Sequence, residues 1–186
     1  MSSAGGGGRR VSTPSLIRVW DPLVRFFHWG LVLSIGVSWL SANSLEDLHN
    51  STGYAAGALV GARAAWGLVG SRYARFSDFV RSPRTVLAYL ADIGRGQEAR
   101  YIGHNPAGGA MVICLLLATA ATALTGWLLT TDSFWGVRWM QHLHDLLAHV
   151  LLLLAGIHIG GVMLASFRHR ENLVGAMIFG RKRRED

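Results

Sequence analysis

The stretch HDLLAHVLLLLAGIH, residues 144–158, decides the fold of this chain, because it is an apolar run with a histidine at each end. In an α-helix, fourteen residues give about 21 Å of rise and a net turn of about −40°. His144 and His158 therefore leave the same face of one helix, one near each side of a bilayer. Imidazole nitrogens inside hydrocarbon are costly unless they pair or bind something. The spacing therefore predicts two binding levels along one membrane helix.

The composition is that of a membrane protein, since 51% of the 186 residues are apolar and only 16% are charged. A bilayer core of about 30 Å needs roughly 20 residues of helix. Four apolar runs approach or exceed that length: Leu23–Ala42, Thr52–Val69, Gly109–Thr130 and His142–Ser166. The second run is the weakest, because it is rich in Ala and Gly and contains Arg63. We predict an all-α, integral membrane four-helix bundle, with three spans as the alternative.

The basic residues predict the orientation of the spans. Of the 18 Lys and Arg residues, all but Arg63 and Arg138 fall on the side that holds both termini. Cytoplasmic loops carry the excess of Lys and Arg, so we expect both termini to be cytoplasmic. The net charge of +7 then reflects topology. A nucleic-acid interface is disfavoured, because the basic residues flank spans and lack an interleaved aromatic platform.

Three regions are predicted along the chain. Residues 1–16 are rich in Gly and Ser and are expected to be disordered. Residues 17–180 form the membrane domain, in which Pro83–Ile93 is a short helix at the bilayer surface. Residues 181–186 are a basic tail suited to anionic lipid headgroups. A cleaved signal peptide is disfavoured, because the first apolar run is longer than the usual apolar core of one.

Four histidines fall into two pairs by depth. His28 lies near the cytoplasmic start of the first span and shares a level with His158, whereas His49 and His144 each begin a span on the outer side. Two bis-histidine haems, an inner and an outer one, would satisfy all four side chains. Cys114 is the only cysteine, and no C-x-x-C-H site is present, so any haem is held without covalent links.

Arg63 follows His49 by fourteen residues and therefore shares its helix face at the inner level. It either pairs with a haem propionate or extends to the cytoplasmic interface.

Small residues accompany the histidines along two of the spans. Close helix packing and clearance for a flat macrocycle both explain these glycines, which are Gly53, Gly57, Gly61, Gly156, Gly160 and Gly161.

The other four histidines are not expected to be axial ligands. His149 and His142 lie about 180° and 160° around the helix from His158. His104 belongs to a cytoplasmic turn, and His169 belongs to a basic segment.

The chain resembles the bacterial cytochrome b561 family, which is related to the b-type cytochrome subunits of nickel–iron hydrogenases. The resemblance covers roughly residues 17–184 and rests on the order and spacing of several motifs. These are VWDPLVRFFHW at 19–29, HNSTGY at 49–54, RAAWGLVG at 63–70, ARFSDF at 74–79, GHNPAGGAM at 103–111, HDLLAH at 144–149 and HRENLVGAMIFGRKR at 169–183.

The resemblance implies a four-helix bundle of the bacterial inner (cell) membrane that holds two non-covalent b haems. Such a protein passes electrons between a quinone or quinol pool and a redox partner, such as a cytochrome c. Carried over residue by residue, the ligand positions fall on His28, His49, His144 and His158. The pairing of these four comes from their depth.

Other functions remain open from the sequence. The chain is alternatively a membrane anchor and electron relay of a hydrogenase- or formate-dehydrogenase-like complex, although its short outer loops argue against a hydrogenase anchor. A haem-free metal or proton transporter would use the histidines as ligands or proton carriers. A purely structural bundle would use them as hydrogen-bonding groups between helices. The sequence also leaves a homodimer open.

Overall fold

The computed structural model describes residues 16–183, and it is mostly helical, at 74%. Of the segment predicted to be disordered, residues 1–15 lie outside the described residues, whereas Leu16 begins a strand. The last residues of the basic tail, 184–186, also lie outside the described residues. The elements in chain order are β1 (Leu16–Arg18), α1 (Pro22–Ser41), α2 (Glu46–Val69), α3 (Phe76–Phe79), α4 (Pro83–Arg95), α5 (Pro106–Leu129), α6 (Arg138–Arg168), α7 (Leu173–Phe179) and β2 (Arg181–Arg183).

Three helices begin with a capping residue followed by proline. Asp21 accepts a hydrogen bond from the backbone N–H of Val24 at 2.8 Å and starts α1. Ser82 starts α4 and Asn105 starts α5 in the same way. The side chain satisfies an otherwise unpaired N–H of the first turn, and proline, which has no N–H, fits the first helical position.

The four long helices agree closely with the predicted runs, except at the start of α2. That helix begins at Glu46, six residues before the predicted Thr52. Glu46 and Asp47 lie in its first turn, where carboxylates stabilise the positive end of the helix dipole. His49 is therefore already helical. Helix α1 packs on α2, α2 on α5 and α5 on α6, and ring contacts join α6 to α1.

Three of the long helices, α1, α5 and α6, are long and apolar enough to cross a membrane. Helix α2 does not reach that standard, although its 24 residues would extend about 36 Å. Large apolar side chains point outward, such as Leu40 at 81% exposure and Phe167 at 85%. Such surfaces suit lipid rather than water. The fourth span, and with it the four-helix bundle, stays a prediction.

A small antiparallel sheet joins the two ends of the described chain, which the all-α prediction did not include. Ile17 pairs with Lys182 at the centre of the β1–β2 ribbon. The two ends of the described residues, 16–18 and 181–183, therefore lie side by side. That both termini are cytoplasmic stays a prediction.

The ribbon also holds Lys182 away from the lipid headgroups expected for a basic tail. Its side chain is 5% exposed, and its ammonium lies 3.3 Å from the carboxylate of Glu171, which in turn lies 3.1 Å from Arg100. A buried ammonium needs such a partner, because burial without one carries a large desolvation cost.

We use the name terminal cap for β1, the linker 70–105, α7 and β2. A cluster of buried apolar side chains, including Trp20, Ala74 and Ala176, holds it against the start of α1. Helix α7 was not predicted, although Asn172 caps its start and Gly180, at φ 79°, ends it in the left-handed conformation that favours glycine. The predicted helix Pro83–Ile93 is α4, and its position at the bilayer surface stays a prediction.

Candidate functional site

The outer pair of histidines lies between α2 and α6. The ring centroids of His49 and His144 are 6.2 Å apart, with the ring planes nearly perpendicular at 86°. The Nδ1 atom of His49 lies 2.8 Å from the carbonyl oxygen of Ser38 on α1. The Nδ1 atom of His144 lies 3.1 Å from the carbonyl oxygen of Thr122 on α5. Both rings are thus anchored to a neighbouring helix.

These hydrogen bonds determine which nitrogen of each outer ring is free. A carbonyl oxygen only accepts hydrogen bonds, so Nδ1 must be the atom that carries the proton in both His49 and His144. In a neutral imidazole the other nitrogen, Nε2, then keeps its lone pair. This is the arrangement of metal-bound histidines, whose second ring nitrogen commonly donates to a carbonyl or carboxylate.

A cavity of about 260 Å³ lies beside the outer pair. Its walls are mostly apolar and include Gly53, Trp127 and Leu151 together with both histidines. Gly126 lies against the His144 ring, since a Cβ atom there would be 3.0 Å from the ring carbon Cε1. The absence of a side chain at residue 126 therefore sets the position of His144.

The inner pair lies between α1 and α6. The ring centroids of His28 and His158 are 6.5 Å apart, with an angle of 56° between the planes. The Nδ1 atom of His28 is buried and has no hydrogen-bond partner among residues 16–183. The inner pair therefore lacks on His28 the carbonyl anchor that both outer rings have.

The glycines beside the histidines fall into two groups. A Cβ atom on Gly57 would contact Ala123 at 3.3 Å, as close helix packing predicts. Around the inner pair a Cβ atom would meet no atom of the described residues within 4 Å at Gly61, Gly156, Gly160 and Gly161. Close packing therefore does not explain this second group, whose surfaces are open.

Both ring spacings fit a metal ion placed between two imidazoles. With a metal–nitrogen distance of about 2.0–2.1 Å on each side, opposed rings have centroids roughly 6 Å apart. No group of three or more His, Cys, Asp and Glu side chains suited to a metal ion occurs within residues 16–183. Two protein ligands without a third do not complete a zinc site, but they do complete haem iron, whose other four ligands belong to the porphyrin.

Arg63 lies at the inner level, under the terminal cap. It is 5% exposed, and its Nη2 atom donates to the carbonyl oxygen of Ala74 at 3.1 Å. Its guanidinium carbon lies 5.3 Å from the ring centre of Phe76, and Nη1 has no partner among the described residues. Arg63 extends to the linker of the terminal cap, which covers it, and its pairing with a haem propionate stays a prediction.

The structure places two of the remaining histidines on exposed surfaces. His142 and His149 are exposed on α6, and the His149 ring contacts Trp39 at 5.3 Å. Asp145, one turn before His149, has its Oδ1 atom 3.4 Å from Nδ1 of that histidine. Neither histidine joins the two pairs.

The environment of His104 was not predicted from the sequence. Its ring lies between Trp20 and Phe79, with 4.6 Å to each ring centroid. Burial, together with the positive charges of Arg63 and Lys182, lowers the pKa of His104 to about 3. The side chain is thus neutral and enclosed, an environment that its position in a predicted turn did not indicate.

The model of one protein family, prokaryotic cytochrome b561, matches residues 19–180. No curated protein and no solved structure matches the chain. The match covers both histidine pairs, Arg63 and nearly all of the terminal cap. The chain therefore belongs to the prokaryotic cytochrome b561 family, whose members are membrane proteins that transfer electrons through b-type haem.

Proposed function

We propose that this chain is a di-haem cytochrome that transfers electrons between a quinone or quinol pool and a redox partner, such as a cytochrome c. His28 and His158 hold the inner haem b, and His49 and His144 hold the outer one. The observation that carries this proposal is the spacing of 6.5 and 6.2 Å between the rings of the two pairs. Both values match two imidazoles on opposite sides of one metal ion.

Iron with two imidazole ligands has no open position, so the bound haems supply one-electron transfer rather than oxygen binding. The protein holds and orients the ligands. Ser38 and Thr122 fix the two outer rings through their carbonyl oxygens, and Arg63 supplies positive charge at the inner level. The walls of the cavity beside the outer pair are mostly apolar.

Oxidation of a quinol also releases protons, which need acceptors. The carboxylates near the outer pair are Asp145, Glu46 and Asp47. Asp145 follows His144 directly and lines the cavity, which makes it the first candidate of the three. A quinol at the outer end would thus meet an electron acceptor and a proton acceptor together.

The proposed setting is the bacterial inner membrane, crossed four times, with the terminal cap in the cytoplasm. A homodimer is compatible with this arrangement. An anchor and relay subunit of a larger enzyme would use the same two haems. Co-purification of a large iron–sulfur or catalytic subunit from native membranes would favour that function over a self-standing quinol oxidoreductase.

The first test is the haem content of the protein in detergent. We expect about two b haems per chain by pyridine haemochrome, with a low-spin spectrum that changes on dithionite reduction. No haem in folded protein would contradict the proposal and favour metal or proton transport.

Histidine variants test the pairing separately. His28→Ala and His158→Ala should each remove the same haem, and His49→Ala should remove the other. His149→Ala is the matched control on α6 and should keep both haems. Loss of both haems, or of neither, in folded His28→Ala protein would contradict the pairing.

A further inference from the structure

Arg63 Nη1 and His104 Nδ1 are among the buried nitrogen atoms under the terminal cap that have no hydrogen-bond partner in the described residues. Buried polar atoms are nearly always hydrogen-bonded, so such exceptions indicate a missing partner. Arg63 is only 5% exposed, so bulk water does not readily supply the missing hydrogen bond.

A chain of aromatic contacts connects Arg63 to His104. Arg63 lies over Phe76, Phe76 contacts Phe79 at 5.8 Å, and Phe79 contacts His104 at 4.6 Å. The charge of Arg63 is also among the causes that keep His104 neutral. The aromatic rings between the two donors offer no hydrogen-bond acceptors of ordinary strength.

The nearest acid does not supply the missing partner. Asp21 influences Arg63 electrostatically, but its oxygen atoms already accept from the N–H of Val24, from Trp66 Nε1 and from Ser71 Oγ. These hydrogen bonds outweigh the effect of burial and lower the pKa of Asp21. A buried guanidinium whose Nη1 has no partner among the described residues suits a carboxylate.

The depth of Arg63 along α2 indicates which group would supply that carboxylate. Helices α1 and α2 are joined by residues 42–45 and run antiparallel. His28 lies six residues after the start of α1, and Arg63 lies six residues before the end of α2. The two side chains are therefore at about the same depth, the level of the inner histidine pair.

We propose that His104 is a second propionate-binding residue, which acts beside Arg63 on the haem held by His28 and His158. This inference rests on the proposed function and extends it to a residue outside the ligand set. Arg63 offers a charged N–H and His104 a neutral ring N–H. Together they would hold the carboxylate edge of the inner haem under the terminal cap.

The test uses the full chain in detergent with both haems bound. The His49→Ala background keeps only the inner haem, so its signals can be assigned. We expect His104→Leu to shift a propionate bending mode in the resonance Raman spectrum while the low-spin axial-ligand bands stay unchanged. His104→Gln, which keeps an N–H donor, should restore most of the wild-type frequency.

Arg63→Gln tests the charge at the same site. A unit charge at about 12 Å in an effective dielectric of about 20 changes an equilibrium about tenfold. We therefore expect Arg63→Gln to lower the inner-haem potential by about 59 mV, the one-electron equivalent of tenfold. Arg63→Lys should keep most of the potential. Arg75→Gln, which removes an exposed charge of the linker, is the control and should change neither the potential nor the Raman modes.

Three outcomes would overturn the inference. Unchanged propionate modes in His104→Leu would show that His104 does not bind the haem. A wild-type potential that varies with phosphate concentration, with the variation lost in His104→Leu, would indicate a free anion instead. Loss of the axial-ligand bands in both His104→Leu and His104→Gln would indicate a structural role. A wild-type protein without haem would instead refute the proposed function itself.

Discussion

Gly126 offers a direct test of how the outer histidine is positioned. A Cβ atom at residue 126 would lie 3.0 Å from Cε1 and 3.5 Å from Nδ1 of His144. Carbon atoms in optimal contact are about 3.5–4.0 Å apart, so Gly126→Ala forces a displacement of roughly 0.5–1 Å. The His144 ring is held by Thr122 and Thr125 on the same side, so movement of the ring strains both hydrogen bonds.

The size of the effect follows from opposing terms. Overpacking costs about 1–3 kcal/mol, whereas replacing Gly by Ala inside a helix gains about 1 kcal/mol. The net loss of stability should therefore be about 0–2 kcal/mol. Disturbing the hydrogen bonds that orient a metal ligand commonly costs 10–100-fold in metal affinity. We expect Gly126→Ala to lose outer haem well before it loses its fold.

The assay measures haem per chain, the midpoint potential of each haem and the thermal unfolding temperature in detergent. Gly94→Ala in α4 is the matched control, because a Cβ atom there meets nothing within 4 Å. It should keep both haems. A Gly126→Ala protein with two haems of wild-type affinity and potential would refute the reasoning, as would loss of the inner haem alone.

The terminal cap gives two further predictions. Glu171→Gln should destabilise it by about 3–5 kcal/mol, because the buried Lys182 loses its carboxylate, and Glu171→Gln/Lys182→Met should recover part of that loss in thermal unfolding. His104 takes up a proton below about pH 6.5 in the unfolded chain but only near pH 3 in the folded chain, where its pKa is lowered to about 3. As the pH falls through that window, the free energy of unfolding should therefore decrease by up to about 1.4 kcal/mol per pH unit. Unfolding at pH 7, 6 and 5 checks this, and an equally steep slope in His104→Leu would contradict it.

The sequence predicted the histidine pairs because they depend on local geometry. A spacing of fourteen residues fixes the relation of His144 to His158 within one helix, and helix ends fix the depth of His28 and His49. The earlier start of α2 was also readable, since Glu46 and Asp47 are favourable first-turn residues. These features require only regular helices and a bilayer.

The terminal cap could not be predicted in the same way. The burial of His104 depends on Trp20 and Phe79, which are 84 and 25 residues away in sequence. The pairing of Lys182 with Glu171 depends on the β1–β2 ribbon, whose strands are far apart in the sequence. Contacts of this kind have no periodic signal in the sequence, so a charged tail and a turn histidine were expected where the structure has buried side chains.

The two histidine pairs differ in their surroundings, and that difference predicts a direction of electron transfer for the proposed di-haem protein. Carbonyl acceptors on Nδ1 would make the outer imidazoles more basic ligands, which would stabilise oxidised iron and lower the potential of the outer haem. The inner pair lacks such an acceptor on His28 and lies at the level of the buried charge of Arg63, which stabilises the reduced form. A redox titration should therefore resolve two one-electron steps, and His28→Ala should remove the one at higher potential. Electrons received at the outer haem would then pass to the inner haem, which has the higher potential and lies nearer the terminal cap. Loss of the higher-potential step in His49→Ala, rather than in His28→Ala, would contradict that direction.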